Sequence, residues 1–324
     1  RHERVGRPGL DAVADALDER GMSLLLTRLN PQRQEQMAAM FDSGQVAGLI
    51  VIGQLTWHDY LNELARRGVP MAVWGACLPD AYYPVVGGDN ATGGYLATRH
   101  LLQQGARRIA FFGDISHPEA ALRHQGYARA LAEAGLTPDP RLHQSFLFGD
   151  RRIRQVIDMW LDQGLDFDAI FASADIAAIS LIGALNERGL EVPHRVRVVG
   201  YDDIALSAYL HPSLTSIRQP TAVAGRALVE LLFEAIAGLP RRSVMLPAEL
   251  VVPRARPRTR TRAGAGAGAG SCCGFVRLAC QRLGSRRAPQ ASSSEASTTT
   301  PSAQLRPKPC ASVPISGGPS RKPL

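Results

Sequence analysis

Apolar and polar positions along this chain keep switching between two periods. Leu10–Arg20 (LDAVADALDER) places Leu10, Val13, Ala14 and Leu17 at helical spacing, and Gly21 ends the run. Met22–Thr27 (MSLLLT) is a short continuous apolar run, which predicts a buried strand. Pro31 opens a helix to about Ser43, stopped by Gly44. Gly48–Gly53 (GLIVIG) predicts a strand, Trp57–Arg67 a helix stopped by Gly68, and Pro70–Trp74 the next strand. The beat then repeats. Helices are predicted over Asn90–Gln104, His117–Ala134, Asp150–Asp162 and Ala174–Arg188. Strands are predicted at Arg108–Gly113, near Leu142–Phe146, at Asp168–Ala172 and at Val196–Val199. Thr221–Ala237 reads as a last helix, and Val244–Leu246 and Glu249–Val252 as short strands. Helices alternating with apolar strands across short loops mean βα units on parallel sheets. The two successive runs, 10–86 and 88–217, predict two lobes joined by more than one crossover, with a cleft between them.

Composition changes this picture only at the end of the chain. The formal charge of +8 suggests a nucleic-acid partner, but residues 254–324 hold 13 of the 37 Lys and Arg and a single acid, Glu295. Residues 1–253 carry 24 basic and 28 acidic residues, so the body is mildly acidic. The tail (PRARPRTRTRAGAGAGAG, then ASSSEASTTTPSAQ) has no period and few aliphatic or aromatic residues. Such a segment buries too little apolar area to offset its ordering entropy, so disorder is expected over 254–324. A basic tract alone is weak evidence for nucleic-acid binding. The body's Cys77 is expected to be a small buried apolar residue. The tail's Cys272, Cys273, Cys280 and Cys310 do not have zinc-site spacing. No apolar run approaches the roughly 18 residues that a membrane span needs. RHERVGRPG at the start has no secretory h-region, so a cytoplasmic protein is expected.

Candidate chemistry gathers around Val196–Pro220 (VRVVGYDDIALSAYLHPSLTSIRQP). An apolar run leads to Gly200, expected to let the backbone turn, and then to two carboxylates, Asp202 and Asp203. Ligands of open α/β sheets bind at the carboxyl ends of the strands, where Asp202 should stand. Its carboxylate would accept charge-assisted hydrogen bonds from hydroxyls, while Asp203 caps or solvates the turn. Arg123, on the helix after RIAFFG, offers a planar fork for two ligand oxygens. Asp175 follows another strand, where capping of the helix start competes with ligand contact. Phe148 and Tyr201 could stack on an apolar ligand face or pack in the core. Trp74 ends a strand, as suits an aromatic stacking on a sugar. Thr221, after the crossover, and Gln54, at a strand end, complete the candidates.

Several blocks together resemble the effector-binding domain of the LacI/GalR family of transcription regulators. They are DNATGGYLATRHLL (89–102), GARRIAFFG (105–113), RHQGYARALAEAG (123–135), AIFASADIAAISLIGALNERGLEVP (169–193), Val198–Pro220 and LPAELVVPR (246–254). They fall in the family's order and spacing and cover about residues 10–254. The resemblance implies a periplasmic-binding-protein-like α/β fold with a ligand cleft between two lobes, one of 10–86 plus 221–247, the other of 88–217 plus 248–253. It implies a small-molecule effector, with a sugar expected, and homodimerisation, and it calls for no cofactor and no metal. It makes Asp202 and Arg123 effector contacts. The family often has Asn or Ser just before Asp175, where this chain has Ala174. The family's helix-turn-helix, hinge helix and first strand are not found ahead of residue 10, so operator DNA would be read only by a head outside this sequence. The first strand's place would be in the first sheet, between the strands expected at 22–27 and 48–53. Leu10–Asn30 superficially resembles a helix-turn-helix. Its would-be recognition helix presents Leu24, Leu25 and Leu26, whereas base edges are read by polar side chains.

Two other functions compete. A solute-binding protein for sugar transport would share the fold, but HPSLTSIRQP looks regulator-like. An enzyme would need a constellation that is not evident: there is no Walker loop, G-x-G-x-x-G, G-x-S-x-G or H-E-x-x-H, and VVGGDNATGG lacks the Lys-Ser/Thr of a P-loop.

Overall fold

The structure is a computed structural model that describes residues 8–27, 34–54, 56–145, 152–253 and 308–309. Its first sheet holds β1 (Leu49–Ile52), β2 (Met71–Trp74), β3 (Val85–Gly88), β9 (Val244–Leu246) and the two-residue β11 (Lys308–Pro309), in the order β1-β2-β3-β9-β11. β1 to β3 and β9 run parallel, while β11 pairs antiparallel with β9. The second sheet has the order β10-β8-β7-β6-β4-β5. Its strands are β4 (Ile109–Phe112), β5 (His143–Gln144), β6 (Ala169–Ala172), β7 (Arg197–Asp202), β8 (Thr215–Arg218) and β10 (Glu249–Val251). All are parallel except β10, which pairs antiparallel with β8.

Both sheets are covered by helices on both faces, which is why their strands read as unbroken apolar runs. On the first sheet, α1 (Pro8–Asp18) and α8 (Thr221–Ile236) bury Val13, Leu17, Leu228 and Leu232 on one face. On the other, α2 (Gln34–Asp42) and α3 (His58–Arg66) bury Ala38, Leu61 and Leu64. On the second sheet, α4 (Asn90–Gln103) and α5 (Pro118–Glu133) supply Ala97, Leu101, Tyr127 and Leu131 to one face. α6 (Ile153–Asp162) and α7 (Asp175–Glu187) supply Ile157, Trp160, Leu181 and Leu185 to the other. In α6 the buried Ile153, Ile157 and Trp160 recur every three to four positions, the helical period that the sequence shows. The chain crosses between the sheets three times: between β3 and α4, between β8 and α8, and between β9 and β10.

Four expectations are corrected. Met22–Thr27 forms no strand, and Leu24, Leu25 and Leu26 are 39%, 63% and 70% exposed. Among the described residues β1 is an edge of the first sheet and pairs only with β2, so this apolar run joins neither sheet. The same irregular backbone excludes a recognition helix over 22–27. Gly200 does not turn the chain; it lies inside β7, where a Cβ would stand only 2.1 Å from the Asp175 carboxylate. Val85–Gly88, left without an element in the sequence reading, is the strand β3. Cys77 is disulfide-bonded rather than a free thiol. Of residues 254–324 the structure describes only Lys308 and Pro309, which pair with β9.

Candidate functional site

A cavity of about 400 Å³ lies where the carboxyl ends of both sheets' strands converge. The first sheet contributes Ile52 and Gly53 after β1, Trp74 at the end of β2, and Gly88 at the end of β3. The second contributes Asp114 after β4, Ser173 and Ala174 after β6, Asp202 at the end of β7, and Gln219 after β8. Helix starts supply Asn90 from α4 and His117, Glu119 and Arg123 from the region of α5. One side is thus aromatic and aliphatic, and the other polar, with carboxylates at Asp114, Glu119 and Asp202 and a guanidinium at Arg123.

The Arg123 side chain is fixed by neutral groups. Its Nε donates to Asn90 Oδ1 at 2.8 Å, and one terminal nitrogen donates to the Ser173 carbonyl at 2.5 Å. Its guanidinium lies 3.7 Å from the centroid of the Tyr201 ring. Asn90 is itself fixed by donating to the Gly88 carbonyl at 3.1 Å. Among the described residues no carboxylate forms an ion pair with Arg123, so its charge stays available to a ligand. Close helix contact puts it there: Cβ atoms on Gly94 or Gly126 would fall 2.0 Å from the carbonyls of Arg123 and Ala91, so only glycine lets α4 and α5 approach this far.

Asp202 carries the other charge. Burial raises its pKa, the nearby Arg123 and a 2.7 Å hydrogen bond from Gln219 oppose the rise, and Asp175 adds to it; the outcome is a carboxyl pushed up to about 6. Its backbone is unusual, with φ +110° at Asp202 and +51° at Asp203, a conformation that costs a side-chain-bearing residue on the order of 1–3 kcal/mol. The turn is held by β8: Asp203 N–H donates to Ser216 Oγ at 3.0 Å, and Arg218 Nε donates to the Asp203 carboxylate at 2.7 Å. At the rim, burial pushes the Asp114 carboxyl up, but hydrogen bonds from Ser116 and the nearby His117 and His143 outweigh it, so the net shift is downward.

Asp202, Arg123 and Trp74 are the sequence candidates that the fold brings to the cavity. Others are directed elsewhere. Gln54 is fully buried with both ends of its amide engaged: Nε2 donates to Tyr83 Oη at 2.5 Å and Oε1 accepts from Ala76 N–H at 3.0 Å. It belongs to a polar chain running on through His58, 2.6 Å from Tyr83 Oη, to Asp80. Asp175 is also fully buried, and it accepts from Ile204 N–H, Ser207 Oγ and Ser216 Oγ at 2.9, 2.6 and 2.6 Å. It therefore clamps the segment after β7 and does not line the cavity. Tyr201 is fully buried behind Arg123, with no face toward the cavity. Thr221 backs onto α1, where a Cβ on Gly9 would be 3.4 Å from its own Cβ. Phe148 lies outside the described residues. The sequence reading missed Asn90, Ser173, Gln219, Asp114, His117 and Glu119. Ser173 and Asp114 directly follow predicted strands, Asn90 and His117 open predicted helices, and Glu119 lies in the first turn of one, which was the available signal; Gln219 carried none.

This architecture, two parallel α/β sheets with a polar cavity at their facing carboxyl ends, defines a periplasmic-binding-protein-like effector domain. Residues 98–255 match the periplasmic binding protein-like domain family. The chain is 32% identical over 233 residues to the HTH-type transcriptional repressor PurR of Haemophilus influenzae (strain PittEE), covering 70% of this chain and 68% of that protein. It is 32% identical over 243 residues to the HTH-type transcriptional regulator CelR of Thermobifida fusca, covering 73% and 71%. Among solved structures, a transcriptional regulator CelR–cellobiose complex superposes with a TM-score of 0.71 at 30% identity, covering 77% of this chain and 78% of that one. The chain belongs to the LacI/GalR family of transcription regulators. These relatives are regulators rather than enzymes, and the transport reading finds no support among them. No helix among the described residues is long and apolar enough to cross a membrane.

Proposed function

We propose that this cavity binds a neutral sugar and that the domain is the effector sensor of a homodimeric, cytoplasmic repressor. One lobe would comprise 10–86 and 221–247 and the other 88–217 and 248–253, with the effector between them. The observation that carries this reading is the pairing of Trp74 and Ile52 on one side with Asp202 and Arg123, which has no ion pair among the described residues, on the other. A pyranose has the same division: C–H faces that stack on an aromatic ring, and hydroxyls that hydrogen-bond to charged groups. A related regulator has been seen with cellobiose, which supports a sugar here. Closure of the lobes on the effector is a hinge motion, which would bias the operator-reading state of the dimer. The experiment is a thermal-shift screen of the full chain against cellobiose, other neutral sugars and purines, since a ligand of the native state raises its melting temperature. Stabilisation by a sugar that disappears in Asp202→Ala is expected. Stabilisation by purines alone, or one that survives Asp202→Ala, overturns the reading.

A further inference from the structure

The three crossings between the sheets meet around one side chain. β8 pairs with β7 in a register that sets Arg218 opposite Asp202, so Gln219, the next residue, rises beside the Asp202 carboxylate. Its Nε2 donates to Oδ1 at 2.7 Å, the only hydrogen bond to that carboxylate among the described residues. Pro220 and the start of α8 follow at once, so this amide sits at the crossing between β8 and α8. On its other side, Gln219 Oε1 lies against Gly88, where a Cβ would be 3.1 Å away. Gly88 closes β3 at the crossing into α4, and the next residue, Asp89, donates its N–H to the Leu246 carbonyl at 2.8 Å, at the crossing between β9 and β10. The turn that presents Asp202 is held in an uncommon conformation, with β8 pinning Asp203. Gln219 adds the hydrogen bond, the only one among the described residues, that sets where the Asp202 carboxylate itself points.

We propose that Gln219 is a positioning residue of the site: its amide holds the Asp202 carboxylate toward the cavity and ties it to the crossings about which the two sheets would turn. This rests on the reading of Asp202 as the effector anchor. A ligand hydroxyl that takes over Asp202 Oδ1 must share or displace the Gln219 amide, so occupancy is transmitted to the hinge by one hydrogen bond. The charged groups facing Asp202 are Arg123 from α5 and Asp175 from α7, with Asp114, His117 and Glu119 lining the rest of the cavity.

The test needs no ligand. The carboxyl carbon of Asp202 is titrated by 13C NMR in the full chain, its signal identified by its loss in Asp202→Asn. Gln219→Met keeps the length but removes the donor to the ionised form, and the titration midpoint should rise by about one unit. Gly88→Ala removes no polar atom but crowds Oε1, and it should raise the midpoint by less, which keeps the test open should Gln219→Met fold poorly. A midpoint unmoved in both variants overturns the proposal, whatever happens to their melting temperatures, because a purely structural Gln219 would change stability alone. Addition of cellobiose separates the two readings. A raised midpoint supports the positioning role even where cellobiose gives no stabilisation, and only the sugar reading then falls.

Discussion

The Arg123 guanidinium rests on the face of Tyr201, 3.7 Å from the ring centroid, while the buried phenol oxygen meets no hydrogen-bond partner of ordinary geometry among the described residues. The ring is thus a shelf for the guanidinium. Burial pushes the phenol up to about 12, so it stays protonated. Tyr201→Phe should keep effector binding and change stability by about 1 kcal/mol or less, in the stabilising direction, since an unpaired buried hydroxyl is lost. Tyr201→Leu should cost about 2–4 kcal/mol and weaken effector binding, because both packing and the cation–π contact go. Urea denaturation and ligand thermal shifts of the two variants check this.

The raised pKa of Asp202 fixes the sign of a pH effect. A carboxyl whose folded pKa lies above its unfolded one contributes stability that is fully present below the unfolded pKa and lost as pH rises through the folded value, here from roughly pH 4 to about 6. Asp202→Asn removes this dependence and should be more stable than the parent at pH 7 by up to about 3 kcal/mol. Effector affinity should run the other way, falling as pH drops below about 6 and the anchor is neutralised. Urea midpoints and effector titrations at pH 4.5, 6 and 7.5 would reveal a wrong sign in either.

Asp175 gathers three donors from residues 29, 32 and 41 positions away. Burial raises its pKa, and hydrogen bonds from Ser207, Ser216 and Ile204 only partly offset that. Asp175→Ala strands those donors and should cost about 3 kcal/mol or more, while Asp175→Asn keeps an acceptor and should cost less. Since Ser216 also supports the Asp203 turn, effector affinity should fall in the alanine variant as well. An alanine variant as stable as the parent in urea would refute the clamp.

Two helical glycines should respond oppositely to alanine. Gly126 in α5 has the Ala91 carbonyl where a Cβ would go, so Gly126→Ala should destabilise by about 1–3 kcal/mol and displace Arg123. Gly183 in α7 has nothing within 4 Å of that position, so Gly183→Ala should stabilise by about 0.5–1 kcal/mol. Calorimetric melting of both variants decides it.

Most of the fold could be read from the chain because its strands are covered on both faces. Runs such as Ile109–Phe112 and Ala169–Ala172 are wholly buried, and left-handed glycines such as Gly68 (φ +80°) and Gly189 (φ +72°) follow the helices they stop. Met22–Thr27 misled because an apolar run carries no record of whether a neighbouring strand is there to receive it. The site was legible in part for a similar reason. Asp202 and Arg123 stand where strand order and family resemblance both place them. Gln54, Asp175 and Tyr201 also lie beside strand ends, but partners distant in sequence (Tyr83, Ser207 with Ser216, and Arg123) draw them into the protein. Gln219 and Asn90 looked like chain punctuation, and only the meeting of two sheets turns them into cavity walls.

The left-handed backbone at residues 202 and 203 also limits how this sensor can be redesigned. With φ at +110° and +51°, these positions favour glycine, asparagine or aspartate over branched and bulky side chains. Enlarging the side chain at 202, the anchor proposed above, would therefore strain the turn before it altered selectivity. The loop that carries Asp114 and His117, and the first turn of α5 with Glu119, have no positive-φ residue and line the same cavity. New specificities are best sought there, with Asp202 left as a fixed reference point.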